Sequence, residues 1–499
     1  MRPKTKSRAT PPPPAPRPPH PALAALGRSR WLYVLVSILL LAPCYWQPRV
    51  QAGDLASHIY NAWLAQLIES GRLQGLAIVS QTTNILFDLM LGGLFKLLGA
   101  EAAQRISVSL TVLIFIWGAF VFSWTVSGRR PWQIMPCIAM LAYGWVFHMG
   151  FFNFYLSMGL CFWVLALLWT PTSWRVAAAV PILILAYLAH ALPVAWLVGL
   201  AAYLMVAGRL SSKGRVYVIA GSLLAMVILH AALAGTMVTN WSASQITLTT
   251  GLDQVWVFDS KYYAVLVGLL LVWCSLFLNL IHLSNARQVV SSLPFHLCVL
   301  SAAAVFVLPT MVLFPAFNHA LVYIAERMSL GVGVCVCALL ACARPRRFER
   351  GALVVVALLF FGFLYRDERA LNSFEDRMQD TVSALPAGQR VISAIDDPGL
   401  RVNALTHMID RVCIGHCYSY ANYEPTTAQF RIRAEAPNPY VAYTYEDSWL
   451  MQVGAYVVQE RDVPLYQVDL DSGGRMIVKS LRAGVRCERT TWNVLGDLL

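Results

Sequence analysis

Residues 106–126 read ISVSLTVLIFIWGAFVFSWTV, and the basic pair Arg129-Arg130 follows shortly after them. A run of about 20 mainly apolar residues is long enough for a helix to cross the hydrocarbon core of a bilayer. Because Lys and Arg gather on the cytoplasmic side of such helices, the basic pair also orients the segment. The stretch therefore predicts a membrane-spanning helix that ends in the cytoplasm.

The composition extends this prediction to the whole chain. Of its 499 residues, 58% are hydrophobic and 13% are charged, whereas an average soluble domain has about 25% charged residues. The net charge of +12 comes mainly from short Lys and Arg clusters between apolar runs, which is how membrane topology is encoded. We therefore expect an integral membrane protein that binds no nucleic acid.

Apolar length and charge predict a polytopic α-helical protein with about eleven transmembrane helices in residues 31–366. The predicted helices lie near residues 31–47, 106–126, 133–149, 152–170, 176–190, 194–207, 216–236, 261–281, 295–313, 323–343 and 351–366. The basic clusters then fall in alternate loops: Arg129-Arg130, Arg175, Arg209 with Lys213 and Arg215, Arg287, and residues 344–350. This alternation predicts a cell-membrane protein with a cytoplasmic N-terminus and an extracytoplasmic C-terminus.

Three segments do not fit the pattern of spans. Residues 1–30 contain four consecutive prolines, a composition that predicts a disordered cytoplasmic tail. Residues 47–105 form a long first external loop, in which the apolar stretch 85–98 is too short for a span and predicts an amphipathic or re-entrant helix. Residues 55–69 of the same loop predict a helix that lies at the membrane interface.

Polar residues on the predicted outer face are the candidates for function, because ionisable groups at membrane depth are costly. We single out Asp54, His58, Asn84, His190, His319, Glu326 and Arg327. Asp54 directly precedes the predicted interfacial helix, so it either caps that helix or stands at the lip of a cavity. His58 lies one helical turn after Asp54, so both side chains can share a face and contact a phosphate or a metal ion.

The first loop also carries a pattern that resembles a known superfamily. The pattern consists of Gly53-Asp54, Ala62-Trp63, Thr83-Asn84, the segment from Gly99 to Arg105, and Gly128-Arg129-Arg130. It is similar to the GT-C superfamily, the membrane glycosyltransferases that use polyprenyl-phosphate sugars and include aminoarabinose and protein mannosyl transferases. Many members have Asp-Glu after the first-loop Asp, whereas this chain has Asp54-Leu55.

The resemblance implies an inverting sugar transfer from a lipid-linked donor to an envelope glycan, lipid or protein. Asp54 would be the catalytic base and Arg327 would bind the departing phosphate, unless Arg327 only pairs with Glu326. His58, Asn84, His190 and His319 would contact substrate, although a hydrogen bond between helices is the alternative role for the last two. No cofactor is predicted, and a divalent metal ion stays open.

Two other readings of the membrane part remain open. The chain could be a non-enzymatic assembly or transport protein, although the ionisable residues gather at the outer ends of the helices instead of in mid-span. It could also be a degenerate GT-C scaffold that presents an extracytoplasmic binding domain.

Residues 367–499 are more polar and predict a soluble extracytoplasmic domain of the α+β or α/β class. We expect helices at 367–385 and 449–459, and strands at 390–395, 440–445 and 476–478. Residues 413–424 combine two cysteines with several tyrosines and predict either a glycan-binding surface or a loop closed by a disulfide. In an oxidising compartment Cys413 is expected to pair with Cys417 or Cys487.

Overall fold

The computed structural model describes residues 30–314, 320–427 and 429–496. Contacts divide the chain into two compact units, Met1–Ala42 and Pro43–Leu499. In the first unit the structure describes helix α1 (Arg30–Leu40), which is apolar along most of its length. The second unit contains every other element described below.

The second unit is mostly helical. Its helices are α2 (Leu55–Glu69), α3 (Leu86–Leu98), α4 (Ala100–Ser127), α5 (Met135–Ala142), α6 (Trp145–His148), α7 (Phe152–Leu168), α8 (Ser173–Ala189), α9 (Ala191–Ala207), α10 (Ser212–Thr236), α11 (Tyr263–Ser284), α12 (Ala286–Val290), α13 (Leu293–Val307), α14 (Ile324–Leu340), α15 (Arg347–Ser383), α16 (Met408–Val412) and α17 (Tyr445–Gln452). Its strands are β1 (Leu76–Ile78), β2 (Val238–Asn240), β3 (Met311–Leu313), β4 (Arg390–Ser393), β5 (Ile395–Asp396), β6 (Tyr418–Ser419), β7 (Ile432–Ala434), β8 (Leu465–Leu470), β9 (Met476–Leu481) and β10 (Thr490–Thr491).

Four segments of the described chain are long and apolar enough to cross a membrane. They are Ala100–Ser127, Ser212–Thr236, Ser260–Ser284 and Arg347–Ser383. Shorter apolar helices accompany them, among them α7, α8, α9 and α13. The structure is therefore compatible with a membrane protein, as the sequence predicts.

The helical part is tightly packed where α4 crosses α7. A Cβ atom built on Gly159 would lie 2.8 Å from the Cα of Phe115, and one on Gly118 would lie 2.5 Å from the Gly159 carbonyl oxygen. Small residues let two helix backbones approach closely, which is the usual way that membrane helices associate. The two glycines thus fix the contact between these helices.

The predicted span 133–149 is interrupted. Helix α5 ends at Ala142 and helix α6 begins at Trp145, because Gly144 between them has an extended backbone. A side chain at Gly144 would lie 2.7 Å from the carbonyl oxygen of Gln254, and the Gln254 side chain accepts a hydrogen bond from Val146 N. The break therefore accommodates the segment that contains Gln254.

Helix α2, predicted at the membrane interface, is instead buried inside the protein. Ten of its 15 residues are buried, including Tyr60 and Asn61. Tyr60 Oη accepts a hydrogen bond from Ser419 N, and Asn61 Oδ1 accepts one from Asn422 Nδ2. Residues of the C-terminal domain thus cover a surface that the sequence pattern assigned to lipid headgroups.

The last helix crosses the predicted domain boundary at residue 366. Helix α15 runs unbroken for 37 residues, so the predicted helix at 367–385 is its second half. The strands that follow form a small sheet in the order β6-β4-β8-β9, with β9 antiparallel to β8. The predicted strands at 390–395 and 476–478 correspond to β4 with β5 and to β9, whereas residues 440–445 form no strand.

The C-terminal residues are bound to the loop of residues 47–105. Strand β7 pairs with β1 of that loop. Arg411 forms a bidentate bond with Glu375 at 2.7 and 2.6 Å and donates to the Val50 carbonyl oxygen at 3.0 Å. The predicted disulfide joins Cys413 to Cys417, and Cys487 is a free, buried thiol.

Candidate functional site

A cavity opens between the loop of residues 47–105, the start of α14 and the C-terminal domain. We call it the central cavity. It is lined by Asp54, His58, Asn84, residues 151–154, His190, residues 320–322, Arg327, Tyr423, Glu424, Gln429 and Phe430. Five of the predicted site residues therefore line one cavity. Glu326 does not line it, and His319 lies outside the described residues.

The backbone of Asp54 is held by the turn between α6 and α7. Gly53 N donates to the His148 carbonyl oxygen at 2.8 Å, and Asp54 N donates to the Met149 carbonyl oxygen at 3.0 Å. Gly150 has a φ of +84°, and a Cβ there would collide with the Asp54 backbone nitrogen. Asp54 makes no side-chain hydrogen bond to the start of α2, so its carboxylate is available to the cavity.

The C-terminal domain places a histidine beside this carboxylate. His407 Nε2 lies 3.8 Å from Asp54 Oδ1, and His407 Nδ1 lies 3.0 Å from Asp410 Oδ2. Burial alone would lower the pKa of His407, but the hydrogen bond and charge of Asp410, with the charge of Asp54, raise it above its ordinary value. Asp410 also accepts a hydrogen bond from Ser419 Oγ, which leaves it well oriented toward the ring.

His58 belongs to a second group of charged residues. His58 Nδ1 lies 2.6 Å from Asp88 Oδ1, and Asp88 Oδ2 accepts a hydrogen bond from Asn153 Nδ2 at 2.7 Å. Burial alone would lower the pKa of His58, but the charge and hydrogen bond of Asp88 raise it from 6.5 to about 9. At neutral pH His58 therefore presents a positive charge to the cavity.

Glu424 is a further ionisable group that the sequence alone did not place in the site. Its Oε1 accepts a hydrogen bond from Ser57 Oγ at 3.1 Å. Burial raises the pKa of Glu424 from 4.5 to about 7, and the charge of His58 offsets only part of this effect. The carboxyl group therefore exchanges a proton near neutral pH.

Arg327 provides the second positive charge of the cavity. Its guanidinium carbon lies 3.6 Å from the centre of the Phe151 ring, a cation–π contact. Its Nε is buried and has no hydrogen-bond partner among the described residues. Glu326 instead accepts a hydrogen bond from Thr310 Oγ1 at 2.5 Å, so in the described structure the predicted Glu326–Arg327 pair is not formed.

His190 lies at the start of helix α9. It caps helix α9, since its Nδ1 accepts a hydrogen bond from Leu192 N at 3.1 Å, and its ring packs edge-on against Phe154. It also lines the central cavity together with Asn84. Asn84 has a φ of 57°, a left-handed conformation that Asn tolerates better than most residues.

Two further pockets adjoin the central cavity, and an apolar groove adjoins the second of them. The first, which we call the tail cleft, shares Asp54, Phe151, Val322, Arg327 and Tyr423 with it. The second shares Asn84, His190, Leu321 and Gln429 with it, and it shares Leu192 and Ala195 with an apolar groove. This groove lies between α9, α10, α13 and α14. A polar cavity is thus connected to an apolar groove on one side and to a polar cleft on the other.

Sequence reasoning missed the residues that reach the site from elsewhere in the chain, namely Asp88, Glu424, His407 and Asp410. Glu424 stands at the end of the aromatic segment 413–424, which was the only available signal for it. For metal binding, the described part of the chain brings together no group of three or more His, Cys, Asp or Glu residues that could hold an ion.

The central cavity can carry out acid–base chemistry on a bound anion, because it combines carboxylates with two cations. No family model, no curated protein and no solved structure matches the chain.

Proposed function

We propose that the chain is a GT-C-like membrane glycosyltransferase that moves a sugar from a polyprenyl-phosphate donor to an extracytoplasmic acceptor. The observation that carries the proposal is that Asp54 and Arg327 line one cavity. The two residues lie far apart in the sequence. The resemblance implies that Asp54 is the base and that Arg327 contacts the phosphate. His58 and Asn84, for which the resemblance implies contacts with substrate, line the same cavity.

In the proposed reaction Asp54 removes the proton of an acceptor hydroxyl. The hydroxyl oxygen forms a bond to the anomeric carbon while the bond from that carbon to the phosphate oxygen breaks, so the sugar is inverted. The phosphate leaves with the bonding electron pair, and the positive charges of Arg327 and His58 offset the charge that develops on it. A guanidinium fork matches two phosphate oxygens, and general-base assistance is typically worth about 10²- to 10⁴-fold.

The apolar groove supports a lipid-linked donor over a soluble one. It is lined by apolar side chains of four helices, such as Leu200, Leu229 and Met328, and it is connected to the cavity through Leu192 and Ala195. A polyprenyl chain laid in this groove would leave its phosphate at the polar end, near Arg327. The proposal requires no organic cofactor.

The proposed topology has about eleven spans, a cytoplasmic N-terminus and an extracytoplasmic C-terminus. The bond between Cys413 and Cys417 supports an outer location for the C-terminal domain, since disulfides persist in oxidising compartments. An alkaline-phosphatase fusion to the C-terminus is expected to be active. An inactive fusion, together with a fluorescent cytoplasmic fusion at the same position, would contradict this topology.

The catalytic proposal is tested by Asp54→Asn, which keeps the size of the side chain and removes the base. We expect normal protein levels and a loss of sugar transfer of about a hundredfold or more. The measurement is the amount of polyprenyl-phosphate sugar that accumulates in cells carrying only the variant, by mass spectrometry of lipid extracts. Asp380→Asn, a change at an exposed position of α15, is the matched control and should behave as the wild type.

Two outcomes separate catalysis from a structural role. If Asp54→Asn keeps full transfer while Asp54→Ala only lowers protein levels, the residue serves folding alone. If cells without the protein accumulate no lipid-linked sugar, transfer from such a donor is not its activity.

A further inference from the structure

The tail cleft adjoins the central cavity at Asp54 and Arg327, which line both. Besides Asp54 and Arg327, its walls include Asn403, Thr406 and Gln452. These amide and hydroxyl groups can each donate and accept hydrogen bonds. The cleft therefore offers neutral polar groups next to the proposed catalytic base.

Two aromatic side chains of helix α17 also line this cleft. Tyr445 and Trp449 are four residues apart, so they lie on one face of the helix. Trp449 is 50% exposed, although a Trp side chain in a folded domain is largely buried on average. An exposed aromatic face within a polar pocket is suited to a ligand that has both an apolar face and many hydroxyl groups.

The charges on the walls are balanced. Arg489 forms an ion pair with Asp396, and Arg327 interacts with the charge of Asp54. His407, which also lines the cleft, is hydrogen-bonded to the carboxylate of Asp410. A paired Asp and Arg present acceptors and donors side by side without a strong net field. This arrangement favours a neutral polar ligand over a second phosphate group.

We infer that the tail cleft binds a neutral carbohydrate, and that this carbohydrate is the acceptor whose hydroxyl group reaches Asp54. A sugar ring stacks on Trp449, and its hydroxyl groups bond to Gln452 and Asn403. Carbohydrate binding in the cleft is independent of the proposed function, because it requires no donor. The role of this carbohydrate as the acceptor rests on the proposed function. The inference chooses the glycan among the glycan, lipid and protein acceptors that the sequence left open.

The inference is tested by binding alone. The full chain, purified in detergent micelles and labelled with a fluorophore, is applied to an array of defined neutral oligosaccharides. Arrays of peptides and of phospholipids serve as comparisons. We expect binding to a subset of the oligosaccharides, and Trp449→Ala should weaken it by about tenfold, which corresponds to about 1.4 kcal/mol.

Two further variants make the result specific. Tyr443→Ala removes an aromatic side chain of the same domain that is 59% exposed and lies outside the cleft, so it should bind as the wild type. Asp380→Asn, a change at an exposed position of α15 outside the cleft, should also bind as the wild type. Wild-type glycan binding without any sugar transfer would remove the proposed function and leave the carbohydrate site standing.

Three outcomes would overturn the inference. These are no binding to any oligosaccharide, glycan binding that Trp449→Ala leaves unchanged, and binding to peptides or phospholipids that Trp449→Ala abolishes. If sugar transfer is measured despite one of these outcomes, the proposed function is supported and its acceptor is a different molecule.

Discussion

His407 Nε2 lies 3.8 Å from Asp54 Oδ1, and the other nitrogen of the same ring lies 3.0 Å from Asp410 Oδ2. Asp54 belongs to the loop of residues 47–105, whereas the histidine and its partner belong to the C-terminal domain. The site is therefore built jointly by both parts of the chain. Removing the C-terminal domain would remove charged groups from the cavity itself, not only a neighbouring module.

The first prediction concerns Asp410→Asn. Asp410 raises the pKa of His407 through its hydrogen bond and charge, so the variant should lower that pKa. The imidazolium would then be present only at lower pH, and the alkaline limb of the pH profile of sugar transfer should move to lower pH. Asp380→Asn, at an exposed position of α15, is the control. An unchanged profile would show that the charge of His407 plays no part in the reaction.

The second prediction uses two glycines with the same backbone conformation. Gly150 has a φ of +84° and Gly388 a φ of +80°, but only at Gly150 does a Cβ meet the Asp54 backbone. A left-handed conformation costs an L-residue about 1–2 kcal/mol. Gly388→Ala should lose about that much stability, and Gly150→Ala should lose more and also impair transfer. Thermal unfolding in detergent and the lipid-sugar assay measure both effects. Equal behaviour of the two variants would mean that the turn does not position Asp54.

The third prediction is a dependence of stability on pH through His58. Its pKa is raised from 6.5 to about 9, so its contribution is fully present below about pH 6.5 and is lost as pH rises through about 9. Glu424, whose pKa is raised to about 7, changes stability in the same direction at lower pH. The raised pKa of His58 contributes up to about 3 kcal/mol to the free energy of unfolding.

The partner of His58 provides the test. In Asp88→Asn the pKa of His58 should fall, and the decrease in thermal stability between pH 7 and pH 10 should become smaller than in the wild type. Glu435→Gln, a change in the C-terminal domain away from the cavity lining, should leave that decrease as it is. A wild-type protein whose stability is constant over this range would contradict the assigned charge of His58.

The sequence predicted the positions of most helices because long apolar runs have few alternatives to a helix in a membrane. The basic loops also assigned Asp54, His58, Asn84, His190 and Arg327 to one face, and these residues line the central cavity. Glu326 was assigned to the same face but does not line it. The sequence prediction failed at residues 440–445. Their tyrosines favour a strand, but Asn438 Oδ1 accepts hydrogen bonds from Tyr440 N and Val441 N and holds the segment in a turn.

The sequence could not place His407 or Glu424 in the site, nor predict that α2 is buried. These facts depend on how the C-terminal domain folds back on the first loop, through pairs such as Tyr60 with Ser419 and Arg411 with Val50. Such contacts join residues more than 350 positions apart in the chain. No local pattern of hydrophobicity or charge encodes them.

The last prediction tests whether that fold-back depends on the buried pair of Glu375 and Arg411. Their side chains are 1% and 10% exposed. Glu375→Gln leaves the guanidinium of Arg411 without its charged partner, and breaking a buried pair in this way costs about 3–5 kcal/mol. The matched change is Asp376→Asn, whose side chain is 56% exposed and pairs with Arg49, and exposed pairs contribute about 0–1 kcal/mol. In limited proteolysis of the detergent-solubilised protein, Glu375→Gln should therefore release the C-terminal domain faster than Asp376→Asn. Equal cleavage rates would mean that strand pairing between β1 and β7, not the ion pair, holds the domain over the cavity.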